Sequence, residues 1–167
     1  MILTIDIDGV LAGGEYIPEW ERYPERYLTL PLIEEGLPSL IHKLARKHSL
    51  YLLSSRAFPN ALDYTRLWLE KVGFASADFC GVVVGAGKTE KVVLTQLLQA
   101  TIHIDDDYRV VDKLERGDVG APFGLFVYHE AARSHYPWSK KAAEEGASYF
   151  INWKDLLQRV ELISSQV

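Results

Sequence analysis

A chain of 167 residues, 48% hydrophobic and 25% charged, can build one full-sized core, and a single domain over 1–167 is expected. Its net charge of −5 argues against broad, sequence-blind binding to nucleic acid. One cysteine, Cys80, excludes an internal disulfide framework and suits a reducing cytoplasm, and the short N-terminal apolar run, with no basic segment before it, predicts neither a signal peptide nor a membrane span.

In chain order, Ile2–Ile5 reads as a buried strand that runs straight into Asp6 and Asp8, separated by Ile7 and followed by Gly9. Residues 11–38 are too long for a simple strand-to-helix connection and predict a small lid. Within it Tyr16, Trp20, Tyr23 and Tyr27 fall at helical spacing, although Pro24 disfavours a helix through Tyr23. Ser39 is placed to cap a helix whose apolar face is Leu40, Ile41, Leu44 and Ala45. Leu50–Leu53 predicts a second strand, ending at Ser54, Ser55 and Arg56. Asn60 is placed to cap a helix over Ala61, Tyr64, Thr65, Trp68 and Val72, closed by Gly73. Phe79–Val84 reads as a third strand, with Cys80 as a small core residue. Thr89 opens a helix carrying Val92, Val93, Gln96 and Leu97, with Lys88 just before it and Lys91 one turn on. Thr101–Ile104 is a fourth strand meeting Asp105, Asp106 and Asp107, from which a helix runs through Val110, Val111 and Leu114 to Gly117. Leu125–Tyr128 is a fifth strand, Ser148–Ile151 a short strand-like piece, and Trp153–Val160 a last helix.

Alternating strands and helices with continuous apolar strands predict an α/β fold, a doubly wound Rossmann-like parallel sheet covered on both faces. Ligands of such sheets bind at the carboxyl ends of the strands, where strand order reverses. Acids, a hydroxyl, a lysine and more acids then gather at one edge. One lysine cannot neutralise that many carboxylates, so a divalent cation is the natural partner. Mg²⁺ fits best, since it takes a few carboxylates and keeps oxygens from phosphate and water. An EF-hand calcium loop is excluded because it needs an acid or amide at Val10 and glycine at Leu11. A nucleotide-triphosphate loop at "GVVVGAGKT" fails too, with Val82 where its first glycine belongs.

Four motifs in order, "DIDGV", "LYLLSSR", "GKTEK" and "IHIDDD", resemble those of the haloacid dehalogenase-like phosphatases. The likeness runs from the first strand to about Val111, and "YFINWKDLL" is similar to the closing strand and helix of the deoxyribonucleotidase branch. The resemblance implies that Asp6 attacks phosphorus and becomes an aspartyl phosphate. It makes Asp8 the acid that protonates the leaving oxygen and then the base that activates water. Mg²⁺ would be held by the Asp6 side chain, the Asp8 main-chain carbonyl and an acid after strand four, Asp106 with Asp105 close behind. Ser54 and Lys88 would hold phosphoryl oxygens, with Lys91 as the alternative lysine. Gly9 would permit close backbone approach to phosphate, and Ser55, Arg56, Trp20 and Tyr23 are substrate-binding candidates. His129, Arg133 and His135 are weaker candidates for lining the same edge. The implied enzyme is a cytoplasmic phosphatase, 5′-nucleotidase-like, acting on a small nucleotide-like phosphorylated substrate without a membrane. The alternatives are a 3′-phosphatase on nucleic-acid ends, similar at "SSR" and "HIDDDYRVVDKL" and less favoured by the acidic charge, and a non-catalytic phosphate- or partner-binding relative. Nothing in the sequence specifies an oligomeric state.

Overall fold

The computed structural model describes residues 1–14, 22–117, 122–132 and 136–166. Strands β1 (Ile2–Ile5), β2 (Ser49–Leu53), β3 (Gly81–Val83), β4 (Ile102–Asp105) and β5 (Phe123–Phe126) form one sheet in the order β3-β2-β1-β4-β5. All four pairings are parallel, and Ile5 lies opposite both Leu52 and Ile104. The chain builds outward from β1 through β2 to β3, then crosses back to add β4 and β5 on the other side. Strand order therefore reverses between β1 and β4. Asp6 follows one of those strands and Asp105 ends the other, so the switch point carries acids from both.

The helices are α1 (Leu37–Ala45), α2 (Ala61–Lys71), α3 (Lys88–Leu97), α4 (Tyr108–Glu115), α5 (Pro137–Glu144) and α6 (Trp153–Ser164). Right-handed crossovers put α1 and α2 on one face of the sheet and α3 and α4 on the other. The first face is apolar: Leu3, Ile5, Leu50, Leu52, Ile102 and Ile104 share a buried cluster with Ile41, Leu44, Trp68, Leu156 and Val160. Each such side chain contributes about 1.5–3 kcal/mol by leaving water. Strand alternation turns Thr4 and His103 to the opposite face, where both are fully buried. That second face is partly polar. Farther along it α4 packs Val111 so closely on β5 that a Cβ at Gly124 would lie 2.9 Å from Val111 Cγ1.

Several local expectations change. Helix α1 starts at Leu37, with Gly36 at the N-cap in left-handed backbone (φ 77°) and proline in the first turn, so Ser39 caps nothing. Asn60 does hold the N-cap position of α2, but its side chain makes no capping bond. Helix α3 starts at Lys88 and is rotated so that Lys91 and Thr95 face inward, leaving Val93 and Leu97 45% and 74% exposed. Cys80 lies just outside the edge strand β3 and is exposed rather than in the core. Ser148–Ile151 supplies only an isolated bridge, Val127 with Phe150. Helix α5 was not anticipated, although Pro137 in its first turn is an ordinary start signal.

The 11–38 insertion contributes a 3-10 stretch, Pro24–Thr29, and lies on α2: Trp68 Nε1 donates to the Leu30 carbonyl at 2.9 Å and Lys71 Nζ to that of Leu28 at 2.9 Å. Tyr16, Trp20, Arg133 and His135 lie outside the described residues. Among the described residues no helix is long and apolar enough to cross a membrane.

Candidate active site

At the switch point, Asp6, Asp105 and Asp106 each bring a carboxylate oxygen within 4.8 Å of the other two, and all three side chains are buried. Lys91, 2% exposed, reaches in from α3, with Nζ 2.9 Å from Asp6 Oδ1 and 2.9 Å from Asp105 Oδ2. The contact to Asp105 is a hydrogen bond, whereas Asp6 Oδ1 lies beside the ammonium without accepting one. Among the described residues, Lys91 thus stands between two of these three buried acids.

Their titration divides accordingly. Burial pushes the Asp6 carboxyl well above the usual range; Lys91 opposes that, and the charges of Asp105, Asp106 and Asp8 add to it. Burial would raise Asp105 as well, but Lys91 and the hydrogen bonds from His103 and Lys91 hold it at about 2. Burial alone would lower Lys91, and the two facing carboxylates instead carry it well above its ordinary value. Lys91 and Asp105 are therefore a settled ion pair, while ionisation of Asp6 is opposed, an opposition that a bound cation would relieve. A donor set made only of carboxylate oxygens suits a hard ion such as Mg²⁺. Gly9, at φ 87°, lies so near that a Cβ there would collide with the Asp106 carboxylate. The close approach expected of Gly9 is thus made to an acid of the cluster.

Asp8 faces elsewhere. Arg56 Nε donates to its Oδ2 at 2.8 Å and Nη2 to its Oδ1 at 2.7 Å, a two-pronged pair. Arg56 is itself 3% exposed, bonded through Nη1 to Thr65 Oγ1 at 3.1 Å and lying 4.5 Å from the Tyr27 ring centre. An arginine expected at the substrate is instead the holder of Asp8. Ser54 directly follows β2 and is fully buried, its Oγ accepting from the Arg56 backbone N–H at 3.2 Å, and Ser55 beside it is exposed.

Lys88 does not join the cluster. It is half-buried at the start of α3 and makes no ion pair among the described residues, so the structure brings Lys91 to the acids in its place. The physical reason is the helix rotation. Periodicity of apolar residues pointed Val92, Val93 and Leu97 inward, but unpaired buried carboxylates are costlier than two exposed aliphatic side chains.

Residues after β5 also reach the site. Tyr136 is half-buried, and burial together with the charges of Asp106 and Asp6 pushes its phenol up, so it stays neutral. Ser139 Oγ donates to the Asp106 carbonyl at 2.6 Å and accepts from the Tyr108 N–H at 3.1 Å. Trp138 Nε1 donates to Asp107 Oδ1 at 2.8 Å, and Asp107 caps α4 by accepting from the Arg109 N–H at 3.1 Å. The start of α5 thus clamps the acid loop from outside. His129 lines a recess at Asp106 with Tyr128 and Tyr136. Of the expected aromatic platform, Tyr23 is 42% exposed with Arg26 4.7 Å over its ring, whereas Tyr27 stacks on Phe58 at 4.8 Å.

No protein-family model matches the chain, and no curated protein does. Among solved structures it is similar to the 3-deoxy-D-manno-octulosonate 8-phosphate phosphatase of Moraxella catarrhalis, solved with magnesium ion, phosphate ion and KDO. Identity is 16% and the TM-score 0.43, over 78% of this chain and 68% of that one. Likeness that slight assigns no chemistry.

Proposed function

We propose that this chain is a Mg²⁺-dependent phosphomonoester hydrolase working through an aspartyl phosphate on Asp6. The observation that carries the reading is a buried Asp6 carboxylate set between Lys91 and two further acids. Asp6 attacks phosphorus, the ester oxygen leaves with a proton from Asp8, and water then attacks the phosphorus of the acyl phosphate. Asp8 takes that water's proton, Asp6 is regenerated, and inorganic phosphate departs. Mg²⁺, held by the Asp6, Asp105 and Asp106 carboxylates with the Asp8 main-chain carbonyl that the family resemblance adds, would offset the repulsion between carboxylate and phosphate. Lys91 takes the role expected of Lys88, placing fixed positive charge where phosphoryl oxygens gain negative charge. Arg56 orients Asp8 rather than the substrate, and Ser54 offers a hydroxyl at the end of β2.

For the substrate we favour a nucleotide, whose nucleoside is the leaving group. The supporting observation is that Tyr23 is exposed with the Arg26 guanidinium over one face of its ring, an aromatic surface and a cation in one segment. The test is phosphate release from an aryl phosphate, with and without Mg²⁺, by wild type and Asp6→Asn. A parallel panel would span nucleoside monophosphates, sugar phosphates and a 3′-phosphorylated oligonucleotide. We expect release that is lost on chelation and in Asp6→Asn, with a nucleotide preferred. Undiminished turnover by Asp6→Asn would remove Asp6 as nucleophile. Preference for the oligonucleotide would shift the reading to nucleic-acid ends, and no release from any substrate would favour a binding role.

A further inference from the structure

Beyond the acid cluster a second polar feature lies wholly inside the protein, between α3 and the middle of the sheet. Thr4, Thr95 and His103 are each 0% exposed, at positions where an aliphatic side chain would be the ordinary filler. Buried polar groups cost free energy unless paired, and these are paired in sequence. Thr95 Oγ1 lies 3.2 Å from Thr4 Oγ1, and Thr4 Oγ1 lies 2.8 Å from His103 Nδ1. His103 Nε2 lies 2.9 Å from Asp105 Oδ2, the oxygen that also accepts from Lys91 Nζ at 2.9 Å. Asp105, ionised beside Lys91, can only accept, so His103 Nε2 is the donor. The other carboxylate oxygen, Oδ1, accepts from the Asp107 backbone N–H at 2.8 Å. Both ends of the Asp105 carboxylate are therefore pinned from outside the cluster, one by backbone and one by His103.

We propose that His103 is a positioning residue: by fixing Asp105 Oδ2 it fixes the ammonium of Lys91 against Asp6. A histidine that merely filled the core could point its donor at any acceptor. This one is aimed at the oxygen that, among the described residues, accepts the hydrogen bond of the lysine of the site. Without that donor the Asp105 carboxylate keeps only the Asp107 N–H at Oδ1 to fix its plane, and the anchor that Oδ2 offers Lys91 is less firmly set. Partners of this kind, standing behind a ligand or catalytic group, typically affect metal affinity or activity by about 10–100-fold. The inference rests on the phosphatase reading for its kinetic consequence, and on geometry alone for its effect on the acid cluster.

The test compares His103→Gln, whose amide nitrogen reaches as far as Nε2, with His103→Asn, which reaches only as far as Nδ1, and His103→Leu, which has no donor. Thr4→Val, nearly isosteric, removes the hydroxyl that meets Nδ1. Each is measured for kcat and KM with Mg²⁺ and, separately, for Mg²⁺ affinity by titration calorimetry, on protein whose thermal unfolding shows it folded. We expect His103→Gln to stay within about threefold of wild type in both readouts. His103→Asn and His103→Leu should lose about 10–100-fold in kcat with KM changed far less, and bind Mg²⁺ about tenfold more weakly. Thr4→Val should fall between. If His103→Leu does not fold, the contrast between Gln and Asn carries the comparison. Equal values for Gln and Asn in both readouts would overturn the proposal and leave His103 as packing. Should the wild type release no phosphate at all, the phosphatase reading fails, while the affinity contrast still stands for or against His103.

Discussion

Replacing Lys91 by alanine would leave Asp6 and Asp105 buried with no ammonium 2.9 Å away. Removing one partner of a buried pair typically costs about 3–5 kcal/mol, and a lost preorganised charge about a hundredfold or more in rate. Lys88, half-buried and without an ion pair among the described residues, should change stability by no more than about 0.5 kcal/mol on the same substitution. Denaturant unfolding and phosphate release on Lys91→Ala and Lys88→Ala separate the two; a dead Lys88→Ala beside a normal Lys91→Ala would reverse the assignment. Asp6 and Asp105 titrate with opposite signs. Asp6 is held well above the usual range, so its ionisation opposes folding, and metal-free protein loses stability as pH rises from about 4 through the raised value. Asp105, held at about 2, contributes stability above about 4 that is lost as pH falls towards 2. In EDTA, Asp6→Asn should therefore melt higher than wild type at neutral pH and keep the acid-side decline. Superimposable melting curves across the whole pH range would show that Asp6 carries no such penalty.

Two elements place the site, and each departs from its own local preference. Helix α3 exposes Val93 and Leu97, forgoing up to about 1.5–3 kcal/mol for each, so that Lys91 and Thr95 can meet buried partners. In the 11–38 insertion, Tyr27 and Tyr23 are placed differently. Tyr27 lies over Arg56, which holds Asp8, so Tyr27→Ala should lower kcat on an aryl phosphate and on a nucleotide alike. Tyr23 is exposed, with Arg26 over its ring. Tyr23→Ala should raise KM for the nucleotide, by an amount matching a lost stacking contact of about 1–3 kcal/mol, and leave the aryl phosphate almost unchanged. Kinetics on both substrates decide it. Equal losses on both for Tyr23→Ala would make that residue packing and withdraw its support for a nucleotide.

For the whole molecule, a cation taken up by the acid cluster would couple its binding to folding. An ion that binds only the folded chain stabilises it by about 2.7 kcal/mol at a hundred times its Kd. At this chain length each kcal/mol moves Tm by about 2–4 °C, so saturating Mg²⁺ should raise Tm by about 5–10 °C. Chelation should reverse the shift, and Asp106→Asn should reduce it. A Tm indifferent to millimolar Mg²⁺ would mean that the cluster holds no Mg²⁺.

Strand runs such as Ile2–Ile5 and Thr101–Ile104, and the acids that end them, were legible because strand formation is written in contiguous apolar residues. From those runs followed the parallel sheet, its switch point and the meeting of Asp6 with Asp105 and Asp106. Helix α5 escaped because its apolar residues are few, and its role shows only where Ser139 meets Asp106. The choice of Lys91 over Lys88 depended on the rotation of α3, which buried charges from two other strands impose. Arg56 and Asp8 are 48 residues apart, and which of Asp8 or substrate the arginine holds depends on where β2 ends relative to β1. His103 reads in sequence as one polar residue between two isoleucines, and its partners come from β1, α3 and the end of its own strand. Sequence by itself determined which groups come to the edge of the sheet, since that follows from local periodicity. Tertiary structure decided which of them pair, because a buried charge is satisfied by whatever its neighbours in space supply.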